Sequence, residues 1–173
     1  MGDHRVECLR SVWTQVGPLR MHARVAIDAT PAITLPVVLV HGLVVSSRYM
    51  IPLAERLALD AHVYAPDLPG FGESDHPERP LDIPGLADAL AGWMRAIGID
   101  QAILIGNSMG CQVIADVAFR YPALVARAVL IGPTADRRGR NIFEQTRRLI
   151  ASLPREDISF AGVLLQDVWS AGV

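Results

Sequence analysis

The sequence predicts an α/β fold, a mostly parallel sheet with helices on both faces, and three observations carry that prediction. Residues 37–40 are Val-Val-Leu-Val, a continuous apolar run of the kind a strand shows when both its faces are covered. Further short strands at 61–65, 101–105 and 126–131 are separated by segments of helical period. The resulting order of strand, helix, strand, helix, strand, helix, strand is the signature of a parallel sheet. With 173 residues, of which 51% are apolar, the chain is long enough for one domain with a real core.

The elements follow in order. Residues 5–16 and 19–27 are expected as two strands, split by a turn at Gly17-Pro18. The first is irregular and suits an edge, while the second alternates loosely through Leu19, Met21, Ala23, Val25 and Ile27. A loop with two prolines, Asp28 to Pro36, leads into the strand at 37–40. Residues 48–59 place Tyr49, Leu53 and Leu57, with Met50, Ala54 and Ala58, at helical spacing, and Pro52 requires the first turn there. The strand at 61–65 exits into a proline- and glycine-dense loop, Pro66 to Asp75.

Residues 83–97 form an amphipathic helix with Leu86, Leu90, Trp93 and Ile97 on one stripe, stopped by Gly98. Residues 101–105 are a buried-type strand, 109–120 a helix ended by Tyr121-Pro122, and 126–131 the next strand. The pattern then changes. Two helices in succession, at 140–153 and 157–169, have no strand between them. The expected division is therefore 1–133 as the core domain and 134–173 as the start of a helical lid.

Composition narrows the function classes. A net charge of -2 gives no electrostatic reason to invoke nucleic acid or an anionic membrane. Lysine is absent, and the five arginines between Arg137 and Arg148 fit a solvated helical face. Cys8 and Cys111 form no CxxC pair, and no metal cluster or organic cofactor motif appears, so no metal and no cofactor is expected. The N-terminus lacks the apolar region of a signal peptide, and no apolar run is long enough for a membrane span. The expected location is cytoplasmic.

The chemistry centres on Gly106-Asn107-Ser108-Met109-Gly110, a G-x-S-x-G match. It follows a strand and opens a helix, the strand–turn–helix setting of a nucleophile elbow. So tight a turn strains the serine and leaves no room for side chains nearby, room that Gly106 and Gly110 supply. Ser108 is the candidate nucleophile. The Met109 amide, at the helix N-terminus, is one expected oxyanion donor.

The second donor should come from the loop after residues 37–40, which runs His41-Gly42-Leu43-Val44. Gly42 lets the chain turn beside the nucleophile, and the Leu43 amide is the expected donor, with Val44 as a weaker candidate. His41 stands where a catalytic residue could, but in this architecture the base follows the nucleophile in the chain. It is therefore read as a structural hydrogen-bonder. Asp67, in Asp67-Leu-Pro-Gly70-Phe-Gly72-Glu-Ser74, is read as bonding the backbone of its own turn. The same stretch is no dinucleotide fingerprint, since Asp75 replaces its third glycine and no helix opens there.

Together the H-G pair at 41–42, the D-L-P-G-F-G-x-S segment at 67–74 and the G-N-S-M-G elbow resemble the α/β-hydrolase superfamily, over about Arg20 to Leu130. The elbow asparagine and the methionine after the serine look most like the hydrolases that cleave carbon–carbon bonds in ring-fission products, and their esterase relatives. Halide- and epoxide-processing relatives use an aspartate where Ser108 stands. Cys111 and Val44 occupy positions that are often glycine. The resemblance implies a small-molecule ester or ketone as substrate and no cofactor, and the apolar faces of the helices at 142–153 and 158–169 suggest that the substrate is apolar. It also implies two further strands beyond the lid, bringing an aspartate and then a histidine to the serine.

Here the histidines are His4, His22, His41, His62 and His76, all before Ser108, and Asp136, Asp157 or Asp167 would have no histidine to orient. The expectation is an α/β-hydrolase fold incomplete at the C-terminus, a truncated chain with its strand at 126–131 left as an exposed edge open to self-association. Two functions follow from it. One is a serine hydrolase lacking its own acid and base. The other is an inactive remnant that binds a small ligand or a protein.

Overall fold

The computed structural model describes residues 9–27 and 31–133. The helices expected at 140–153 and 157–169, and with them the lid assigned to 134–173, lie outside the described residues. Six strands, β1 (Arg10–Val16), β2 (Leu19–Ala26), β3 (Ile33–Val40), β4 (Ala61–Pro66), β5 (Ala102–Asn107) and β6 (Val125–Ile131), form one sheet in the order β1-β2-β4-β3-β5-β6. Strands β4, β3, β5 and β6 run parallel to one another. The hairpin β1–β2 joins antiparallel through β2 to β4.

The chain steps from β3 to β4 on one side and then returns to lay β5 on the other. That makes β3 a topological switch point, and in open α/β sheets ligands bind outside the carboxyl ends of the strands at such a point. The loops after β3 and β5 are the two that carry the H-G pair and the elbow.

Alternation along the strands sorts two cores. Val38 and Val40 of β3 join Leu104 of β5 under α2 (Ile83–Ala96) and α3 (Met109–Arg120). Val37 and Leu39 join Ala61, Val63 and Ala65 of β4 under α1 (Ile51–Leu57). Helices thus cover both faces. Helix α2 starts where Asp82 Oδ1 accepts from the Gly85 amide at 2.9 Å and ends at Gly98, whose φ of +76° only glycine adopts without strain. Its Leu86, Leu90 and Trp93 are buried, and Ile97 packs half-buried beside them.

The 48–59 segment differs from its expected single helix. A 3₁₀ turn at Ser47–Met50 precedes α1, with Pro52 near the helix start. The buried stripe is Met50, Ala54 and Ala58, while Tyr49, Leu53 and Leu57 pack at its margin. Small alanines let α1 lie close on the sheet. Strand β5 also runs two residues further than expected, to Asn107, because it stays paired with β6 up to the elbow.

Candidate active site

At the end of β5 the backbone of Ser108 takes φ +51° and ψ −114°, well outside the ordinary regions for a residue with a side chain. Such strain costs on the order of 1–3 kcal/mol and persists only where the surroundings impose it. Here they do. The Ser108 amide donates to the Ile131 carbonyl at 2.9 Å, and the Ser108 carbonyl accepts from the Cys111 amide at 3.0 Å. A Cβ on Gly106 would lie 2.7 Å from the Gly110 carbonyl oxygen, and one on Gly110 would lie 2.7 Å from the His41 carbonyl oxygen. The first turn of α3 therefore rests directly on the end of β3. Behind it, the buried Cys111 thiol donates to the Gly106 carbonyl at 3.0 Å, and burial pushes its pKa up.

The loop after β3 meets the elbow at Gly42, where a Cβ would stand 3.2 Å from Ser108 Cβ. Leu43 and Val44 follow, each about half exposed. Val44 has φ +58°, a left-handed conformation that strains a β-branched residue. Gly42, Ser108 and Met109 are thus brought together, with the Leu43 and Val44 backbone in the adjoining turn.

His41 is fully buried, edge-on to Phe71 at 5.3 Å. Its Nε2 accepts from the Leu68 amide at 3.0 Å and its Nδ1 donates to the Gly42 carbonyl at 2.8 Å. It ties the loop after β3 to the loop after β4. Asp67, also buried, accepts from the Ser47 amide at 2.6 Å on Oδ1, and on Oδ2 from the Glu73 amide at 2.9 Å and His22 Nδ1 at 2.7 Å. Burial works against its ionisation. The hydrogen bonds from His22, Glu73 and Ser47, with His41 nearby, outweigh that and hold the carboxyl below the usual aspartate range.

The sequence pointed to Asp67's backbone partners but missed His22, which lies 45 residues away. His22 Nε2 in turn meets Ser11 Oγ at 2.9 Å. Only the register of β1, β2 and the β4 exit brings these three together, and no local pattern marks it. Among the described residues, no group of three or more His, Cys, Asp or Glu is arranged to hold a metal ion.

This sheet with a strained serine between strand and helix defines an α/β-type hydrolase architecture. Residues 36–156 match the alpha/beta hydrolase fold family, well over half of the chain, and the chain belongs to that family. It is 38% identical over 89 residues to a 2-hydroxy-6-oxo-6-phenylhexa-2,4-dienoate hydrolase of Burkholderia cepacia, covering 50% of this chain and 31% of that one. It is 36% identical over 91 residues to a 2-(acetamidomethylene)succinate hydrolase of Mesorhizobium japonicum, covering 53% and 33%. The crystal structure of a membrane phospholipase A, a bacterial virulence factor, superposes with a TM-score of 0.72 at 30% identity, over 82% of this chain and 46% of that one. The chain spans about a third of the length of the curated relatives it matches.

Proposed function

We propose that this chain carries the nucleophile and the oxyanion-binding backbone of a serine hydrolase acting on a small-molecule ester or activated ketone. Ser108 Oγ attacks the carbonyl carbon. The amides of Leu43 and Met109 receive the negative charge that develops on the carbonyl oxygen, Met109 with the help of the α3 N-terminus. Gly42, Gly106 and Gly110 keep the approach open, while His41 and Asp67 brace the loops. The observation that carries this reading is the strained Ser108 backbone, fixed between β5 and α3 with Gly42 against it.

No histidine follows Ser108 in the 173 residues, so its general base would come from a segment or partner outside them. A serine hydroxyl without a base is a weak nucleophile, and losing the base costs on the order of 10⁶ in turnover. The second reading is a binding module whose elbow takes no part in catalysis. An ester or activated carbonyl as substrate is supported by the hydrolases to which the chain is similar. No helix among the described residues is long and apolar enough to cross a membrane. The outer strand β6 is proposed as a surface for self-association.

A fluorophosphonate probe separates the two readings. The expected result is modification of the tryptic peptide Ala96–Arg120, whose one serine is Ser108, and its loss in Ser108→Ala. No modification of that peptide, under conditions where a full-length relative reacts, overturns the nucleophile assignment and leaves the binding module.

A further inference from the structure

We propose that Ser11 is a second nucleophilic serine, activated by His22 and Asp67, that accepts an acyl group from small aryl esters. The inference is independent of Ser108 and of the function proposed for it. It begins with register. In the β1–β2 hairpin Ser11 stands opposite Arg24 and Trp13 opposite His22. Because side chains alternate along strands, these four share one face of the hairpin. The other face of β1 packs against α2, where Val16 approaches Gly92.

The three groups meet in the order a relay needs. Asp67 Oδ2 lies 2.7 Å from His22 Nδ1, and His22 Nε2 lies 2.9 Å from Ser11 Oγ. Proton bookkeeping then fixes each role. Both Asp67 oxygens accept backbone amides, so the carboxyl is ionised and the His22 Nδ1 must donate to it. In a neutral imidazole that leaves the lone pair on Nε2, and the Ser11 hydroxyl donates into it. A serine hydrogen-bonded to the lone pair of an imidazole that a carboxylate orients is the arrangement of general-base activation.

Burial divides the relay usefully. His22 and Asp67 are shut away from water, whereas Ser11 is exposed on the edge strand. Trp13 is 41% exposed, and its ring lies 4.9 Å from His22, with the Arg20 guanidinium 5.3 Å above it. It offers an apolar plate for an aryl group beside the hydroxyl. Directly opposite Ser11, Arg24 bonds Glu73 through Nη2 at 3.2 Å, but its buried Nε–H has no partner among the described residues. Opposed pairs hold their Cβ atoms about 4.5–5.5 Å apart, so the Arg24 side chain starts beside Ser11 on the same face of the hairpin.

In the reaction Ser11 Oγ bonds to the ester carbonyl carbon as its proton passes to His22 Nε2. Collapse of the tetrahedral adduct breaks the bond to the aryl oxygen, which leaves as the phenol with the proton from His22. The products are O-acyl Ser11 and a free phenol, with His22 neutral again. No metal, oxidant or cofactor enters the balance.

The test is p-nitrophenyl acetate applied to the full chain, with acetylation followed on the tryptic peptide Ser11–Arg20, which has one serine. Acetylation is expected at Ser11, about 10²-fold faster in the folded chain than in the same chain unfolded in urea, a factor in the range of positioned general-base catalysis. It should vanish in Ser11→Ala, persist in Ser108→Ala, and fall in His22→Asn. The comparison with the urea-unfolded chain needs no variant, so a misfolded His22→Asn leaves the test intact. Acetylation of Ser11 that is no faster folded than unfolded overturns the proposal and reduces the hydroxyl to a hydrogen bond tying the edge strand. Failure of Ser108 to react with the fluorophosphonate leaves the Ser11 result untouched, because the two serines lie on different peptides.

Discussion

Asp67 is the residue where three separate stretches of chain meet, through the amides of Ser47 and Glu73 and the ring of His22. All three contacts favour the carboxylate and together outweigh its burial, so its folded-state pKa lies below the unfolded value. The sign follows from linkage. A depressed carboxyl contributes stability that is fully present above its unfolded pKa, about 3.9, and lost as pH falls through the lower folded value. Urea unfolding followed from about pH 6 to about pH 3 should show the wild type losing stability more steeply than Asp67→Asn, whose amide cannot titrate. Equal slopes would remove Asp67 as the source. The backbone-binding half of this role was legible in the sequence, because Asp67 sits in a glycine-rich turn. The histidine half was not, since a contact between β2 and the β4 exit depends on strand order. The positive φ of Val44 was equally hidden, as a β-branched residue gives no local sign that its backbone will be forced left-handed.

At the scale of elements, periodicity did well where a helix packs through large side chains and less well where it packs through small ones. Leu86, Leu90 and Trp93 announce the buried stripe of α2. In α1 the buried position is Ala54, too small to stand out in the apolar pattern beside Leu53 and Leu57. The elbow is the opposite case, because its glycines state the close approach outright. That makes Gly110 the position for a test of how α3 is seated. A Cβ there collides with backbone carbonyls of β3, which cannot move without displacing the sheet. Gly110→Ala should cost about 3 kcal/mol, the upper end of overpacking, read from urea unfolding. Gly42→Ala meets its nearest atoms at 3.2–3.4 Å and should cost clearly less. Equal losses at the two sites would mean that α3 is not clamped onto β3 at Gly110.

For the molecule as a whole, the order of strands and helices over 37–131 was enough to give the parallel sheet, and the three motifs in sequence order were enough to give the family. The strand order across the sheet and its switch point at β3 came only with the structure. Among the described residues the same order sets β6 on the outside, bonded to β5 along one edge. Its last three residues, Val129, Leu130 and Ile131, are 45%, 49% and 42% exposed, so apolar side chains project on both faces of an outer strand. Its one charge, Arg127, lies near the start of the strand, and the last four residues carry none of the charges or prolines that ordinarily block pairing with another chain. The 173-residue chain should therefore self-associate, its weight-average mass in sedimentation equilibrium rising with concentration. Leu130→Lys places a charge in the middle of that surface without touching the elbow glycines, and should return the chain toward the monomer while leaving Ser108 as reactive as before. A wild type that stays monomeric at every concentration would show that β6 is not a pairing edge. A variant that associates as strongly as the wild type would place the contact elsewhere on the molecule.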